Sequence, residues 1–352
     1  MLLSLSRLIK MEVKYLLMVY IERMKISKNL FSEQLSVDVC KELFKDNIEC
    51  IELGISSYCN RVCSYCPNSF VDRRSKENQM SDTLFFNILS QLKDIEYSGT
   101  ITIHRYNEPF SDFEYALNRI SAIKEYLPDS KLQISTNGDY ISAKNISLIA
   151  SRLNHNDSMH ITVHFPPNQN DYEKAKLKLM ERILELKLPY ENISNSDKII
   201  SYRINIGNKV FCEYRVINFF YDDDKSSLVN DRGGTLKIIQ GHERVLPCFT
   251  TFVQMQIDWD GSLQPCCNIH SSVPEHKKFG MGYLTENSNI FLVYGSKMYV
   301  EWRNSMYKYG GKKDPCTNCT YRTAHDGVES QFFKLKIKTS RRLLGLSANS
   351  EH

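Results

Sequence analysis

From residue 51 onward, the sequence alternates between strand-like and helix-like segments, and this alternation constrains the fold more than any other feature. The predicted strands cover 51–55, 100–104, 131–135, 160–164, 201–206 and 211–216, and the predicted helices cover 82–93, 113–126, 143–152 and 172–186. Repeated βα units of this kind build a parallel sheet flanked by helices. The chain is therefore expected to be an α/β protein with about six β units.

Three cysteines follow the first predicted strand, in the run Cys59-Asn-Arg-Val-Cys63-Ser-Tyr65-Cys66. Three thiolates on one short loop can bind three irons of a [4Fe–4S] cluster and leave the fourth iron without a protein ligand. The alternative is a zinc site that takes one ligand from elsewhere, although zinc prefers two paired ligand hooks. The spacing favours a cluster with one open iron.

Length, charge and cysteine content narrow the class of protein further. A chain of 352 residues is long enough for one large α/β domain and a smaller one. A net charge of +4 gives no support to nucleic acid as a main partner. The chain has 11 cysteines and an N-terminus without a signal-peptide pattern, which favours metal ligation in the reducing cytoplasm over disulfides.

The pattern divides the chain into four parts: an N-terminal extension (1–50), the βα series (51–225), a turn-rich second domain (226–330) and a basic C-terminal tail (331–352). Charged residues interrupt the apolar first 20 residues, so we expect an amphipathic helix there and no membrane partner. The tail is expected to be a surface helix, with contact to an anionic partner as the alternative.

Several polar residues fall where predicted strands end, among them Glu108, the pair Asn137-Gly138 and His164. The carboxyl ends of parallel strands meet on one side of a sheet, where ligands bind. These residues and the cysteine loop are therefore expected to meet at one site. His104 and His164 are also candidates for cofactor or substrate contact, with an ordinary structural role as the alternative.

The cysteine loop, together with two later motifs, resembles the radical S-adenosylmethionine (SAM) superfamily. Tyr65 matches the aromatic residue before the third cysteine, which the resemblance places near the adenine. Asn107-Glu108-Pro109 resembles the second-strand motif that receives the methionine amino group, although Tyr106 and Asn107 replace the usual glycines. The cofactor-binding residues implied by this comparison are Tyr65, Asn107, Glu108 and Pro109.

The third predicted strand ends in Ser135-Thr-Asn137-Gly138, which is similar to the strand end that meets the ribose and carboxylate of SAM in this superfamily. Thr162 occupies a comparable position on the next strand. The resemblance thus adds Ser135, Asn137, Gly138 and Thr162 to the implied cofactor-binding residues.

The resemblance implies a partial (β/α)6 TIM-like barrel. It makes Cys59, Cys63 and Cys66 the ligands of a catalytic cluster that cleaves SAM to a 5′-deoxyadenosyl radical, which then takes a hydrogen atom from the substrate. Such a cluster needs a reducing electron donor such as flavodoxin or ferredoxin.

A second group of cysteines, Cys248, Cys266, Cys316 and Cys319, can fully ligate another [4Fe–4S] cluster. Its surroundings resemble the SPASM/twitch domains of radical SAM enzymes, with Gly261 five residues before Cys266 and no cysteine after Cys319, as in the single-cluster twitch form. Cys267 is the alternative to Cys266 as ligand, and a structural zinc is the alternative to the cluster. Cys40, Cys50 and Cys212 have no such neighbours and are expected to be core or surface thiols.

The overall layout is similar to radical SAM dehydrogenases that oxidise an aminocyclitol alcohol, as in butirosin biosynthesis. That resemblance implies a sugar or aminocyclitol substrate and an auxiliary cluster that accepts an electron. Arg232 is the candidate catalytic residue outside the cluster, and Arg215 is a second candidate for a polar substrate group. The alternatives are a maturase that modifies a peptide or protein, and a non-catalytic iron–sulfur or zinc protein.

Overall fold

The computed structural model describes residues 27–165, 171–207, 209–219, 230–236, 243–245, 247–308, 310–319 and 321. The predicted N-terminal amphipathic helix and the basic tail lie outside these residues, as do both limits of the predicted second domain, 226 and 330. The division into four parts therefore stays a prediction.

The described residues form nine strands in one sheet, in the order β5-β6-β7-β4-β3-β2-β1-β8-β9. The strands are β1 (Cys50–Leu53), β2 (Thr100–Thr102), β3 (Lys131–Thr136), β4 (Ser158–Thr162), β5 (Tyr190–Asn195), β6 (Ile199–Gly207), β7 (Val210–Ile217), β8 (Gln254–Ile257) and β9 (Leu263–Gln264).

Six of these strands, from β7 through β4, β3, β2 and β1 to β8, are parallel to their neighbours. An open sheet of six parallel strands is the arrangement of a partial barrel, so the predicted α/β class is confirmed. The strand at β6 is antiparallel to β7, however, and does not form the parallel unit expected there. The cause is the short connection between Gly207 and Val210, since a parallel crossover needs a dozen residues or more.

The sixth parallel strand comes from a part of the chain assigned by its sequence to the second domain. Strand β8 pairs with β1 from Cys50↔Gln254 to Leu53↔Ile257. The sequence pair Asp260-Gly261 predicts a hairpin here, and the antiparallel strands β8 and β9 confirm it. Its turn requires Gly261. This glycine has φ +81°, and a Cβ there would lie 2.2 Å from the Leu284 carbonyl oxygen.

The described residues also contain eight α-helices: α1 (Val37–Asn47), α2 (Asp82–Asp94), α3 (Phe113–Tyr126), α4 (Ala143–Ala150), α5 (Tyr172–Leu186), α6 (Thr250–Val253), α7 (Ile290–Tyr294) and α8 (Lys297–Tyr307). Side-chain caps begin the helices that follow the parallel strands. Ser81, Asp112 and Asp171 each accept a hydrogen bond from a backbone N–H in the first turn of α2, α3 and α5. The predicted bounds of α3 and α5 are those observed.

The core lies between the parallel strands and the helices that cover them. Ile51 and Leu53 on β1, Ile101 on β2, and Leu132 and Ile134 on β3 are fully buried. Burial of this apolar surface is the main stabilising contribution to the sheet. No helix in the described part of the chain is long and apolar enough to cross a membrane.

Candidate active site

A cavity of about 460 Å³ opens at the carboxyl ends of the parallel strands, as the sequence predicts. It brings together most of the predicted site residues. Those that line it are Cys59, Cys63, Tyr65, Cys66, Asn107, Glu108, Ser135, Asn137, Thr162 and Arg232, with His104, His164 and Arg215. Pro109 and Gly138 do not line it. Gly138 instead shapes the end of β3, since it has φ +74° and a Cβ there would lie 2.5 Å from Ile161 Cγ2.

The cysteine loop turns back on itself after β1. The Cys66 N–H donates to the Cys63 carbonyl oxygen at 2.9 Å, and the Cys59 N–H donates to the Arg73 carbonyl oxygen at 3.0 Å. Burial raises the pKa of Cys59 to about 12 and that of Cys63 to about 11, so both thiols are protonated at neutral pH without a metal. Iron binding would displace these protons, which couples loading of the site to the pH.

Three soft thiol donors that face one cavity fit a [4Fe–4S] cluster with one open iron. In the described part of the chain, no three histidine, cysteine, aspartate or glutamate side chains are close enough to share a single metal ion. A four-iron cluster does not require that closeness, because each cysteine binds its own iron.

Glu108 is buried beside the cysteine loop, and its backbone N–H donates to the Tyr58 carbonyl oxygen at 2.7 Å. Its carboxylate accepts hydrogen bonds from Thr136 Oγ1 at 2.5 Å, from the Asn137 N–H at 2.8 Å and from the Phe110 N–H at 3.2 Å. Burial raises the pKa of Glu108 to about 7, and these hydrogen bonds oppose the rise. A carboxylate can accept about four hydrogen bonds, so Glu108 has room for one more donor from the cavity.

Asn107 lines the cavity, but both polar atoms of its side chain form hydrogen bonds with the neighbouring backbone. Its Oδ1 accepts from the Arg105 N–H at 3.0 Å, and its Nδ2 donates to the Ile103 carbonyl oxygen at 3.3 Å. These bonds fix the turn after β2 that carries Glu108. Asn107 therefore shapes the motif in place of the usual glycine.

Tyr65 closes one side of the cavity. Its hydroxyl lies 2.6 Å from His164 Nδ1, and its ring stacks on Phe219 with 4.0 Å between centroids. Burial lowers the pKa of His164 to about 3, so His164 is neutral at physiological pH. Tyr65, His164 and Phe219 thus form an aromatic cluster at the cavity, against which the ring of a purine base can pack.

His104 has a structural environment. Its Nδ1 accepts a hydrogen bond from the Ser135 N–H at 3.0 Å, which joins the ends of β2 and β3. Burial lowers the pKa of His104 to about 4, so this acceptor is retained at neutral pH. We therefore read His104 as a residue that holds the two strand ends together.

The arginines around the cavity differ in how their charge is balanced. Arg215 Nε donates to Thr162 Oγ1 at 3.2 Å, and its guanidinium lies 3.6 Å from the Glu213 carboxylate. Arg232 forms no ion pair among the described residues, and its buried Nε has no hydrogen-bond partner there. The one side-chain hydrogen bond that its guanidinium makes in this part of the chain is to Asn268 Oδ1, at 3.4 Å. Arg232 is thus the cation best placed to receive an oxygen of a bound ligand.

The four cysteines of the second group are close together in the C-terminal part of the chain. Burial raises the pKa of Cys266 and of Cys316, and the charges of neighbouring thiolates add to this effect: Cys316 and Cys319 act on Cys266, and Cys248 acts on Cys316. Burial also raises the pKa of Cys319 to about 12. A set of four such thiols fits a fully ligated [4Fe–4S] cluster.

Cys266 and Cys267 have different surroundings. Cys266 interacts electrostatically with Cys316 and Cys319, as well as with its sequence neighbour, whereas Cys267 lines the cavity. The Tyr106 hydroxyl donates to the Cys267 carbonyl oxygen at 2.8 Å, which places this residue on the cavity wall. This arrangement favours Cys266 as the ligand of the second group.

Arg244 is a buried cation beside the second group that the sequence analysis did not identify. Its guanidinium donates to the carbonyl oxygens of Pro247 and Tyr321, both at 2.9 Å, and lies 3.9 Å from Cys319 Sγ. The remaining cysteines behave as predicted: Cys40 and Cys212 are buried in the core and Cys50 is half-buried on β1. All eleven cysteines are described, and none forms a disulfide.

The C-terminal part of the chain matches a known protein family. Residues 248–320 match the SPASM family, described as an iron–sulfur cluster-binding domain. This range includes all four cysteines of the second group.

The chain is similar to the S-adenosyl-L-methionine-dependent 2-deoxy-scyllo-inosamine dehydrogenase of Niallia circulans. The two are 26% identical over 272 residues, and this match covers 76% of this chain and 91% of the relative. The fold of the present chain is similar to that in the crystal structure of BtrN in complex with AdoMet and 2-DOIA. The TM-score is 0.53 at 22% identity, and the match covers 78% of this chain and 93% of that chain. A crystal structure of BtrN in an open conformation gives a TM-score of 0.48 at 18% identity, over 79% of this chain and 98% of that one.

The cavity, the cysteine loop and these relatives define the class. It is the class of radical SAM oxidoreductases with a C-terminal SPASM-type iron–sulfur domain, to which this chain is similar, and the resemblance found in the sequence is confirmed. The relative from Niallia circulans depends on S-adenosyl-L-methionine, and the SPASM family binds an iron–sulfur cluster.

Proposed function

We propose that this enzyme oxidises an alcohol of a small polar substrate, a sugar or an aminocyclitol, to a ketone. The observation that carries the proposal is the single cavity that joins the cysteine loop, the Glu108 motif and Arg232. Its volume of about 460 Å³ lies within the range of small-molecule sites, and SAM and the cluster would occupy part of it.

The dehydrogenase from Niallia circulans supports this choice of reaction, since the substrate in its name, 2-deoxy-scyllo-inosamine, is an aminocyclitol. A cluster held by Cys59, Cys63 and Cys66 would, together with SAM, supply the radical chemistry that removes a hydrogen atom from the alcohol carbon. The auxiliary cluster would take the remaining electron, and the hydroxyl proton would be released, which leaves a ketone.

The protein's own residues hold and orient these groups. Cys59, Cys63 and Cys66 would bind the catalytic cluster, and Glu108 would accept a hydrogen bond from the methionine amino group of SAM. The aromatic cluster of Tyr65, His164 and Phe219 would cover the adenine and exclude water from it.

Other cavity residues complete the proposed SAM site. Ser135, Asn137 and Thr162 line the cavity at the ends of β3 and β4, where the ribose and carboxylate would lie. Cys248, Cys266, Cys316 and Cys319 would hold the auxiliary cluster. Arg232 would donate to a substrate oxygen and so orient the carbon that loses hydrogen.

The proposal also includes a cellular setting. A one-electron donor such as flavodoxin or ferredoxin would reduce the catalytic cluster. A reducing cytoplasm suits eleven cysteines without a disulfide. Neither a membrane nor a nucleic acid takes part in the proposed reaction.

The test is an anaerobic assay with 2-deoxy-scyllo-inosamine and related aminocyclitols and sugars, each deuterated at the alcohol carbon. The proposal predicts deuterium in 5′-deoxyadenosine and a ketone product in equal amounts. Arg232→Met is expected to retain slow SAM cleavage but to lose most of the deuterium transfer. Label transfer from a peptide, with none from any alcohol, would instead support the alternative of a maturase.

A further inference from the structure

Two residues of the cysteine loop that are not cluster ligands bind the same carboxylate. Arg61 Nε and Nη2 donate to the two oxygens of Asp139, both at 2.7 Å, and Asn60 Nδ2 donates to Asp139 Oδ2 at 2.9 Å. Asn60 and Arg61 lie between Cys59 and Cys63, while Asp139 lies three residues after the end of β3. A paired Arg–carboxylate contact fixes orientation as well as distance.

The same carboxylate is also held from the helix that follows β4. Arg182 Nη2, on α5, donates to Asp139 Oδ1 at 2.5 Å, and Lys178 Nζ lies 3.8 Å from that oxygen. The side chains of Asp139, Arg61 and Arg182 are all less than one-fifth exposed. Burial alone would raise the pKa of Asp139, but the hydrogen bonds from Arg61, Arg182 and Asn60 lower it well below its usual range.

The network continues into the predicted SAM site. Asn137 Nδ2 donates to Asn60 Oδ1 at 2.8 Å, and Asn137 Oδ1 accepts from the Asp139 N–H at 2.8 Å. The Asn137 N–H donates in turn to Glu108 Oε2. A continuous set of hydrogen bonds thus joins the cysteine loop to the strand ends that face SAM.

We propose that Asp139 is a positioning residue that fixes the cysteine loop, and with it the cluster, relative to the SAM-binding ends of β2 and β3. It also neutralises the charge of Arg61, which lines the cavity within the loop itself. The inference rests on the proposed SAM site, but it assigns to Asp139 a role that no cofactor contact requires. Loss of the carboxylate is expected to disturb SAM binding more than cluster assembly.

The test compares Asp139→Asn, Asp139→Glu and Glu185→Gln, a substitution at an exposed position on α5, with the wild type in the reconstituted full-length enzyme. In wild type, SAM should change the EPR spectrum of the reduced catalytic cluster. For Asp139→Asn we expect a near-wild-type iron content and a weaker SAM-dependent spectral change. The KM for SAM should rise about tenfold, because the substitution removes one or two charge-assisted hydrogen bonds. Asp139→Glu should restore part of the effect, and Glu185→Gln should resemble wild type.

An Asp139→Asn enzyme with a wild-type SAM-dependent spectrum and a wild-type KM for SAM would overturn the inference. If Asp139→Asn does not take up iron, Arg61→Lys tests the same point, because it keeps the charge and loses the two-point contact. The same rise in KM for SAM is then expected, and an unchanged KM would overturn the inference. A wild-type enzyme with no spectral response to SAM would instead refute the proposed function.

Discussion

Arg105 and Asp258 form a buried ion pair in which Arg105 Nε lies 2.9 Å from Asp258 Oδ1, and their side chains are only 1% and 3% exposed. Arg105 follows β2 in the cavity wall, and Asp258 follows β8, the strand contributed by the C-terminal part of the chain. Arg105 Nη2 also donates to the Ile269 carbonyl oxygen at 2.8 Å. This pair therefore joins the catalytic end of the barrel to the segment that carries the auxiliary cysteines.

Removal of one partner should leave a buried charge without compensation. We expect Asp258→Asn to lower the free energy of unfolding by about 3–5 kcal/mol, measured by denaturant unfolding of the reconstituted protein. The exposed pair Lys45–Glu96 provides a matched control, and Glu96→Gln should change stability little. Equal, small effects of the two substitutions would show that the buried pair does not stabilise the fold.

A second prediction concerns Glu108, whose two oxygens already accept three hydrogen bonds. Glu108→Gln removes the charge and places an amide donor against the Asn137 N–H or the Thr136 hydroxyl. SAM affinity should fall roughly 10- to 100-fold, as measured by equilibrium binding to the reconstituted enzyme. Glu114→Gln, at an exposed position in the first turn of α3, is the control and should bind SAM normally.

The third prediction separates the two adjacent cysteines. Because Cys266 interacts electrostatically with Cys316 and Cys319, Cys266→Ala should lower the iron content from about eight atoms per chain towards four. Cys267→Ala should retain about eight, since Cys267 lines the cavity. If Cys267→Ala loses iron and Cys266→Ala does not, Cys267 is the cluster ligand and Cys266 is not.

The fourth prediction concerns Arg244, which lies 3.9 Å from Cys319 Sγ. A buried cation favours the reduced, more negative state of a neighbouring cluster, so Arg244→Met should lower the reduction potential of the auxiliary cluster. An EPR-monitored redox titration measures this shift, with Arg203→Met on the exposed face of β6 as the control. If Arg244→Met prevents cluster assembly, Arg244→Lys should assemble with a potential close to that of wild type. A potential unchanged by Arg244→Met, or lowered as far by Arg244→Lys, would contradict the prediction.

The sequence predicted the parts of the molecule that depend on local pattern. The bounds of α3 and α5 follow from helical periodicity and a capping aspartate, and the Asp260-Gly261 hairpin follows from turn chemistry. The convergence of the cysteine loop, Glu108 and Asn137 follows from one rule, since the carboxyl ends of parallel strands share one side of the sheet.

The sequence did not predict contacts between distant segments. Pairing of β8 with β1 joins residues about 200 positions apart, and nothing local in Gln254–Ile257 shows which strand it will pair with. The ion pairs Arg61–Asp139 and Arg105–Asp258 are likewise set by tertiary packing. The antiparallel β6–β7 pair was predictable, because the turn between Gly207 and Val210 is too short for a crossover.

The most direct test of the central claim is the formation of 5′-deoxyadenosine by the anaerobically reconstituted enzyme with dithionite and SAM. We predict that wild type forms it and that Cys63→Ala, which removes a ligand of the catalytic cluster, does not. Cys50→Ala, at a half-buried thiol outside both groups, should form it as wild type does. If reduced, iron-loaded wild type forms no 5′-deoxyadenosine, or if Cys63→Ala forms as much as wild type, the cysteine loop is not the site of SAM cleavage.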